Sequence, residues 1–213
     1  MAEKDVRAKS VEELWEFIKK PPHQMAYSKL YLDSDVPLLF RYASQLRPGM
    51  TYLEVGMGFG GSCMLVALCT PPGVGIFTIE KSPNPRVEGF FEYYKIKDRI
   101  EVLVGMSRDI FWKDPIDLLF IDGAHEYDAV VADFVKFGEF VVPGGYILFH
   151  DYVIYKGPTL AIYQDVLEDN RFETVEHQKF IYVVRRKLIE ATIKRGFTGE
   201  GGVVKWPSDS TPS

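Results

Sequence analysis

Two acids and two histidines fall in two short, similar settings: Asp122 and His125 in Ile121-Asp-Gly-Ala-His-Glu-Tyr127, and His150 and Asp151 in Phe149-His-Asp-Tyr152. Each group follows a nearly unbroken apolar run, Leu118-Leu-Phe-Ile121 and Tyr146-Ile-Leu-Phe149, of the kind that forms a parallel strand covered on both faces. Carboxylates and an imidazole at neighbouring strand ends make a donor set for a hard divalent cation, which binds a hydroxyl and lowers its pKa. Asp122, His150 and Asp151 are the expected ligands. His125 lies one helical turn beyond Asp122, where an imidazole can act as general base near neutral pH. The plainer alternative has one acid capping a helix and the other hydrogen-bonded within its loop.

A second chemistry-bearing stretch comes earlier. Thr51-Tyr-Leu-Glu-Val55 reads as a short strand that runs into Gly56, Gly58, Gly60 and Gly61 and then into the helix-like Ser62-Cys-Met-Leu-Val-Ala-Leu68. Strand, glycine turn and helix form a ligand cradle, because the turn needs backbone angles that a Cβ forbids and the ligand must approach the main chain. Glu54 before the first glycine disfavours a pyrophosphate and suits an ammonium group or hydroxyls. Glu80 ends the next apolar run, where a carboxylate can take both hydroxyls of a ribose. Met106 and Ser107 end the one after, and can flank an adenine by packing and hydrogen bonding.

These residues share one rim only if the strands before them lie side by side and parallel. Strands are expected at Thr51–Val55, Gly75–Ile79, Ile100–Val104, Asp117–Ile121 and Tyr146–His150, alternating with helical stretches, which is a doubly wound α/β pattern. In such a sheet, ligands sit outside the carboxyl ends of the strands. Pro143-Gly-Gly145 is read as a turn before the fifth strand. After a helix around Thr159–Glu168, the runs Phe172–Glu176 and Phe180–Val184 are spaced as an antiparallel hairpin added to the parallel sheet. Ahead of the sheet, Ser10-Val-Glu-Glu13 fits a capping box for an amphipathic helix that Pro21-Pro22 stops, and a second helix spans about Val36 to Gln45. This leader either covers one side of the sheet or forms a lid or a dimer contact. The expected division is a leader over 1–47, a ligand-binding domain over 48–187 and a tail over 188–213.

At 213 residues, with a formal net charge of −5, the chain suits one sizeable domain and lacks the basic face that nucleic acid or an anionic membrane selects. Small-molecule chemistry is the better expectation. Cys63 and Cys69 are read as buried reduced thiols of a cytoplasmic protein. No signal sequence and no apolar run long enough to span a bilayer is present.

Taken together, Leu53-Glu-Val-Gly-Met-Gly-Phe-Gly-Gly61, Glu80, Gly105-Met-Ser107, Phe120-Ile-Asp-Gly-Ala-His-Glu-Tyr127 and Val142-Pro-Gly-Gly-Tyr-Ile-Leu-Phe-His-Asp-Tyr152 resemble a class I S-adenosylmethionine-dependent methyltransferase over about Pro48 to Arg185. The last two segments look most like the branch with macrocin- and mycinamicin-type sugar O-methyltransferases and cephalosporin-hydroxylase-like proteins. The resemblance implies a Rossmann-like seven-stranded sheet, mostly parallel, with the C-terminal hairpin supplying the antiparallel strand. It implies S-adenosylmethionine held by Glu54, Gly56, Gly58, Gly60, Ser62, Glu80, Met106, Ser107 and Asp122. It also implies a divalent ion at Asp122 and the pair after strand five, with His125 as base. His150 stands where that branch has a glutamate, which shifts preference from magnesium toward manganese, iron or zinc, and Tyr152 stands where catechol-type enzymes have an asparagine.

The expected function is methyl transfer to a hydroxyl of a small molecule, by a protein that can also form a homo-oligomer. Two alternatives stay open. A non-catalytic protein could keep the cofactor site without turnover, and a nicotinamide-dependent oxidoreductase could use Gly56-Met-Gly-Phe-Gly-Gly61 as a dinucleotide fingerprint. Glu54 and the later strand-end segments have no role in the nicotinamide reading.

Overall fold

A computed structural model describes Ser10, Glu12, Glu13 and residues 34–188. Glu12 and Glu13 are helical, and the Glu13 N–H donates to Ser10 Oγ at 3.1 Å, as the capping box requires. The rest of the expected first leader helix, the residues between it and Ser34, and the expected tail beyond Leu188 lie outside the described residues.

From Ser34 onward the order is α1 (Asp35–Ala43), β1 (Thr51–Val55), α2 (Gly61–Cys69), β2 (Gly75–Glu80), α3 (Pro85–Tyr93), β3 (Ile100–Val104), β4 (Ile116–Ile121), α4 (Tyr127–Gly138), β5 (Val141–Phe149), α5 (Lys156–Ala161), β6 (Phe172–Gln178) and β7 (Ile181–Arg186). The seven strands form one sheet in the order β3-β2-β1-β4-β5-β7-β6. The first five are parallel, and β7 is antiparallel to both β5 and β6. The sheet expected from the sequence is therefore the sheet observed.

Each face of the sheet carries its own core. Leu38, Leu39, Tyr52, Met64, Phe91, Phe120 and Leu148 pack on the side of α1, α2 and α3, and Leu53, Ile121, Phe134, Phe137, Phe149 and Ile162 on the side of α4 and α5. All nine residues of α2 are buried, which accounts for its sequence being apolar on every side. Cys63 and Cys69 are free thiols inside it. Among the described residues no helix is long and apolar enough to cross a membrane.

Two elements differ from the expectation. Val141 already pairs with Ile116, so β5 begins before Pro143-Gly-Gly145, and the register then shifts before Tyr146 pairs with Leu118. Proline cannot donate to a ladder, and the chain absorbs it as an irregularity within the strand in place of a separate turn. The helix expected from Thr159 starts at Lys156 and widens into a π turn over Ile162–Val166.

The close approach of β1 to β4 fixes the identity of one glycine. Gly56 has φ +96°, and a Cβ there would lie 2.2 Å from the backbone oxygen of Asp122. Below this crossing Glu54 is fully buried, accepting hydrogen bonds from Ser62 Oγ and, at 2.6 Å, from Thr78 Oγ1. Burial is the largest influence on its pKa and pushes it up to about 8, against the Ser62 and Thr78 hydrogen bonds that favour the carboxylate. Below about pH 4.5 the group is neutral in both folded and unfolded chains. Between that value and about 8 only the unfolded chain ionises, so stability falls as pH rises. Glu54→Gln, which stays neutral, is expected to gain stability relative to the parent from pH 5 to pH 8 in urea denaturation; a constant difference would contradict the assignment.

Candidate functional site

The carboxyl ends of β1 to β4 open onto a cleft of about 680 Å³, within the size range of small-molecule sites. Gly56 and Gly58 line it from β1, Glu80 and Lys81 from β2, Gly105 to Arg108 from β3, and Asp122 to Ala124 from β4, while α4 closes one side with Ala129, Ala132 and Asp133. Backbone bonds from Gly56 N to Ile79 O, from Gly105 N to Glu80 O and from Asp122 N to Val55 O continue the strand ladder past the strand ends and hold the rim together.

Glu80 reaches across this rim. Its carboxylate accepts from the N–H groups of Gly58 and of Lys81, each at 3.0 Å, so it anchors the glycine loop while standing at the cleft wall. Met106 is half-exposed and Ser107 stands beside it. Lys136 of α4 donates to the backbone oxygens of Ser107 and Arg108, at 2.8 and 2.7 Å, and pins this turn to the helix.

Three of the expected cofactor contacts have other places. Glu54 is fully buried and its oxygens are taken by Ser62 and Thr78, so both Glu54 and Ser62 support the floor of the cleft. Gly60 has φ +77° and starts α2, with Val87 where its Cβ would be. It shapes the turn without standing on the cleft wall.

At one end of the cleft the acids and histidines gather. His125 Nε2 is 2.6 Å from Asp151 Oδ2, and ligand atoms of Asp122, His125 and Asp151 all lie within 4.8 Å of one another. The chain delivers Asp151 through a strained turn, with Asp151 at φ +57° and Val153 at φ +64°, the latter a β-branched residue in a region it rarely adopts. Bonds from Tyr152 N to Phe180 O and from Val153 N to Thr159 Oγ1 hold that turn. It also brings the Tyr155 ring flat against His125, with centroids 4.1 Å apart and planes 3° from parallel. Gly157 allows the approach, since a Cβ there would lie 2.0 Å from the His125 backbone oxygen.

His150 departs from its expected role. The ring is buried, with Nε2 2.9 Å from Asp35 Oδ2 and Nδ1 2.8 Å from Asp122 Oδ1 and 3.5 Å from Asp151 Oδ1. Nδ1 is not in line for a hydrogen bond, so its attraction to those carboxylates is ionic. Burial, the largest single influence, lowers the His150 pKa, but Asp122, Asp151 and Asp35 together outweigh it and push the pKa up to about 12. Both ring nitrogens of His150 face carboxylates, and the donor group the fold assembles has His125 in place of His150. Burial likewise raises the Asp122 carboxyl despite the His150 charge, whereas His150 and His125 hold Asp151 below its ordinary value against its own burial.

Two site residues were missed in the sequence. Asp35 is fully buried at the start of α1, far from any motif, and nothing local to it signals a partner 115 positions away. Asp133 did leave a signal: it interrupts the apolar stripe of Val130, Phe134 and Phe137 on α4, and it is buried against the cleft.

A family model described as a methyltransferase domain matches residues 53–152. Catechol O-methyltransferase of Mus musculus is 25% identical over 168 residues, covering 74% of this chain and 61% of the mouse protein. The Bos taurus enzyme is 28% identical over 161 residues, 70% of this chain and 57% of its own length. The chain thus spans less than two thirds of each of these curated relatives. Among solved structures, the O-methyltransferase TomG from Streptomyces achromogenes, involved in tomaymycin synthesis and determined with S-adenosylmethionine, superposes with a TM-score of 0.60 at 17% identity, over 88% of this chain and 99% of that one. The matched stretch runs from β1 to the turn after β5, so the part of this chain that is similar to a methyltransferase domain is the part that builds the cleft rim.

Proposed function

We propose that the protein transfers the sulfonium methyl of S-adenosylmethionine to a hydroxyl of a small molecule. The observation that carries this reading is the double position of Asp122, which lines the cleft and also belongs to the Asp122, His125 and Asp151 group. A cofactor in the cleft and an acceptor at the group would then meet at one residue. The catechol O-methyltransferase relatives and the S-adenosylmethionine bound to TomG support the same chemistry.

In this reading the acceptor oxygen attacks the methyl carbon, the carbon–sulfur bond breaks and the sulfur leaves as a neutral thioether. Placement of the oxygen in line behind the methyl supplies much of the rate. The hydroxyl proton goes to His125. With Nε2 held by Asp151, Nδ1 is the basic nitrogen, and Asp151 stabilises the imidazolium that forms. Tyr155, stacked on the ring, restricts its rotation.

A second reading is favoured by the spacing of the donor group. Two carboxylates and one imidazole whose ligand atoms lie within 4.8 Å of one another fit a divalent ion, and the nitrogen favours manganese, iron or zinc over magnesium. Asp122, His125 and Asp151 would hold it, and when bound it would lower the pKa of the acceptor hydroxyl. The strand-four and strand-five segments also support placement in the macrocin- and mycinamicin-type branch, with a sugar-like acceptor as one candidate.

Three measurements test these readings. Calorimetry is expected to show micromolar binding of S-adenosylhomocysteine and no comparable binding of NAD. Glu80→Ala should weaken the former about tenfold to a hundredfold, the scale of a lost charge-assisted pair; unchanged affinity would remove Glu80 from the ribose. On an identified acceptor, His125→Ala should lower kcat about a hundredfold or more with cofactor affinity nearly constant, and near-parental turnover would reject the base role. Chelation separates the two readings: full activity in excess chelator leaves the histidine base alone, whereas loss restored by manganese assigns the group to a metal.

A further inference from the structure

Of the ionisable groups that line the cleft, Asp133 is the buried one, and the transfer chemistry leaves it unused. Asp133 is only 4% exposed, yet it stands on the cleft wall beside the β3 turn that carries Met106 and Ser107. Burial raises its pKa, while the Ser107 hydroxyl and the Lys136 charge favour its ionised form. The neighbouring wall is made of Gly123, Ala129 and Ala132, small residues that leave room for a flat ring. A carboxylate so little exposed to solvent on such a wall discriminates between a ligand that donates to it and one that presents an oxygen.

We propose that Asp133 accepts a hydrogen bond from the exocyclic amine of the cofactor's purine and thereby selects an aminopurine over a 6-oxopurine. This rests on the reading that the cleft binds S-adenosylmethionine, with the ribose at Glu80. The order of the strands supports it: the ribose lies at the end of β2, and the adjacent end of β3, faced by α4, is where the attached base must go. Asp133 is a specificity-determining residue in this scheme and takes no part in the methyl transfer. A 6-oxopurine would set its carbonyl oxygen against the carboxylate, whereas an asparagine in the same place can turn its amide N–H toward that oxygen.

The test compares S-adenosylhomocysteine with its deaminated counterpart S-inosylhomocysteine, by calorimetry on the full chain. The parent protein is expected to bind the adenosyl compound at least about tenfold more tightly, and Asp133→Asn to bring the two within about threefold. The near-isosteric Asp133→Asn and the smaller Asp133→Ser are both measured, with thermal melts to confirm folding. An undiminished preference in folded Asp133→Asn or Asp133→Ser would overturn the assignment and leave the cofactor reading standing. Equal affinities in the parent protein would do the same. Failure of the parent to bind either compound would remove the cofactor reading and this inference with it.

Discussion

A buried imidazolium between carboxylates from three separate elements is the constraint on which the rest of the site depends. His150 follows β5, Asp122 follows β4, and Asp35 begins α1, yet all three side chains meet beneath the rim. Removing a charge from water costs several kcal/mol unless partners compensate it, and taking one partner away leaves the others uncompensated. Through His150 the carboxyl ends of β4 and β5 are linked to the start of α1. Docking α1 buries Ser34 and Asp35 together with the apolar Val36, Leu38 and Leu39. Arg41 and Tyr42 fasten the other end of α1 to Glu176 of β6.

The same arrangement divides the labour between two histidines. His150 is committed to holding acids together, while His125, with a side chain 41% exposed, keeps a nitrogen available for chemistry. Asp151 serves both, facing His150 with one oxygen and His125 with the other. Its left-handed backbone, followed two residues later by that of Val153, concentrates strain beside His125, and the hydrogen bonds of the following turn hold that strain in place.

The cleft owes its shape to close approaches rather than to large side chains. Gly56 lets β1 pass the Asp122 backbone, and Lys136 ties the β3 turn to α4 by its carbonyls. Glu80 anchors the glycine loop by two backbone N–H groups, so a ligand that engages Glu80 also acts on the loop.

Most of the fold was legible from the residues in order. Short, largely apolar runs ending in glycine, acid or histidine located β1 and β3 to the residue, β2 and β4 within one position and the carboxyl end of β5, because a strand and the turn that ends it leave a local record. Glu80, Met106, Ser107 and Asp122 were found on the rim for the same reason: a strand end is a local feature, and parallel strands bring their ends together. What the sequence left undecided depends on distance in space. Glu54 looked like a ligand contact from its place before the glycines, but only the packing of Ser62 and Thr78 around it makes it a buried support. His150 looked like a metal ligand from its place beside Asp151, but its ring is buried with one nitrogen on Asp35, 115 positions earlier, and the other facing Asp122. A side chain's type and neighbours in sequence fix what chemistry it can offer; which partners desolvate, charge or occupy it is settled by elements that meet only when the chain has folded.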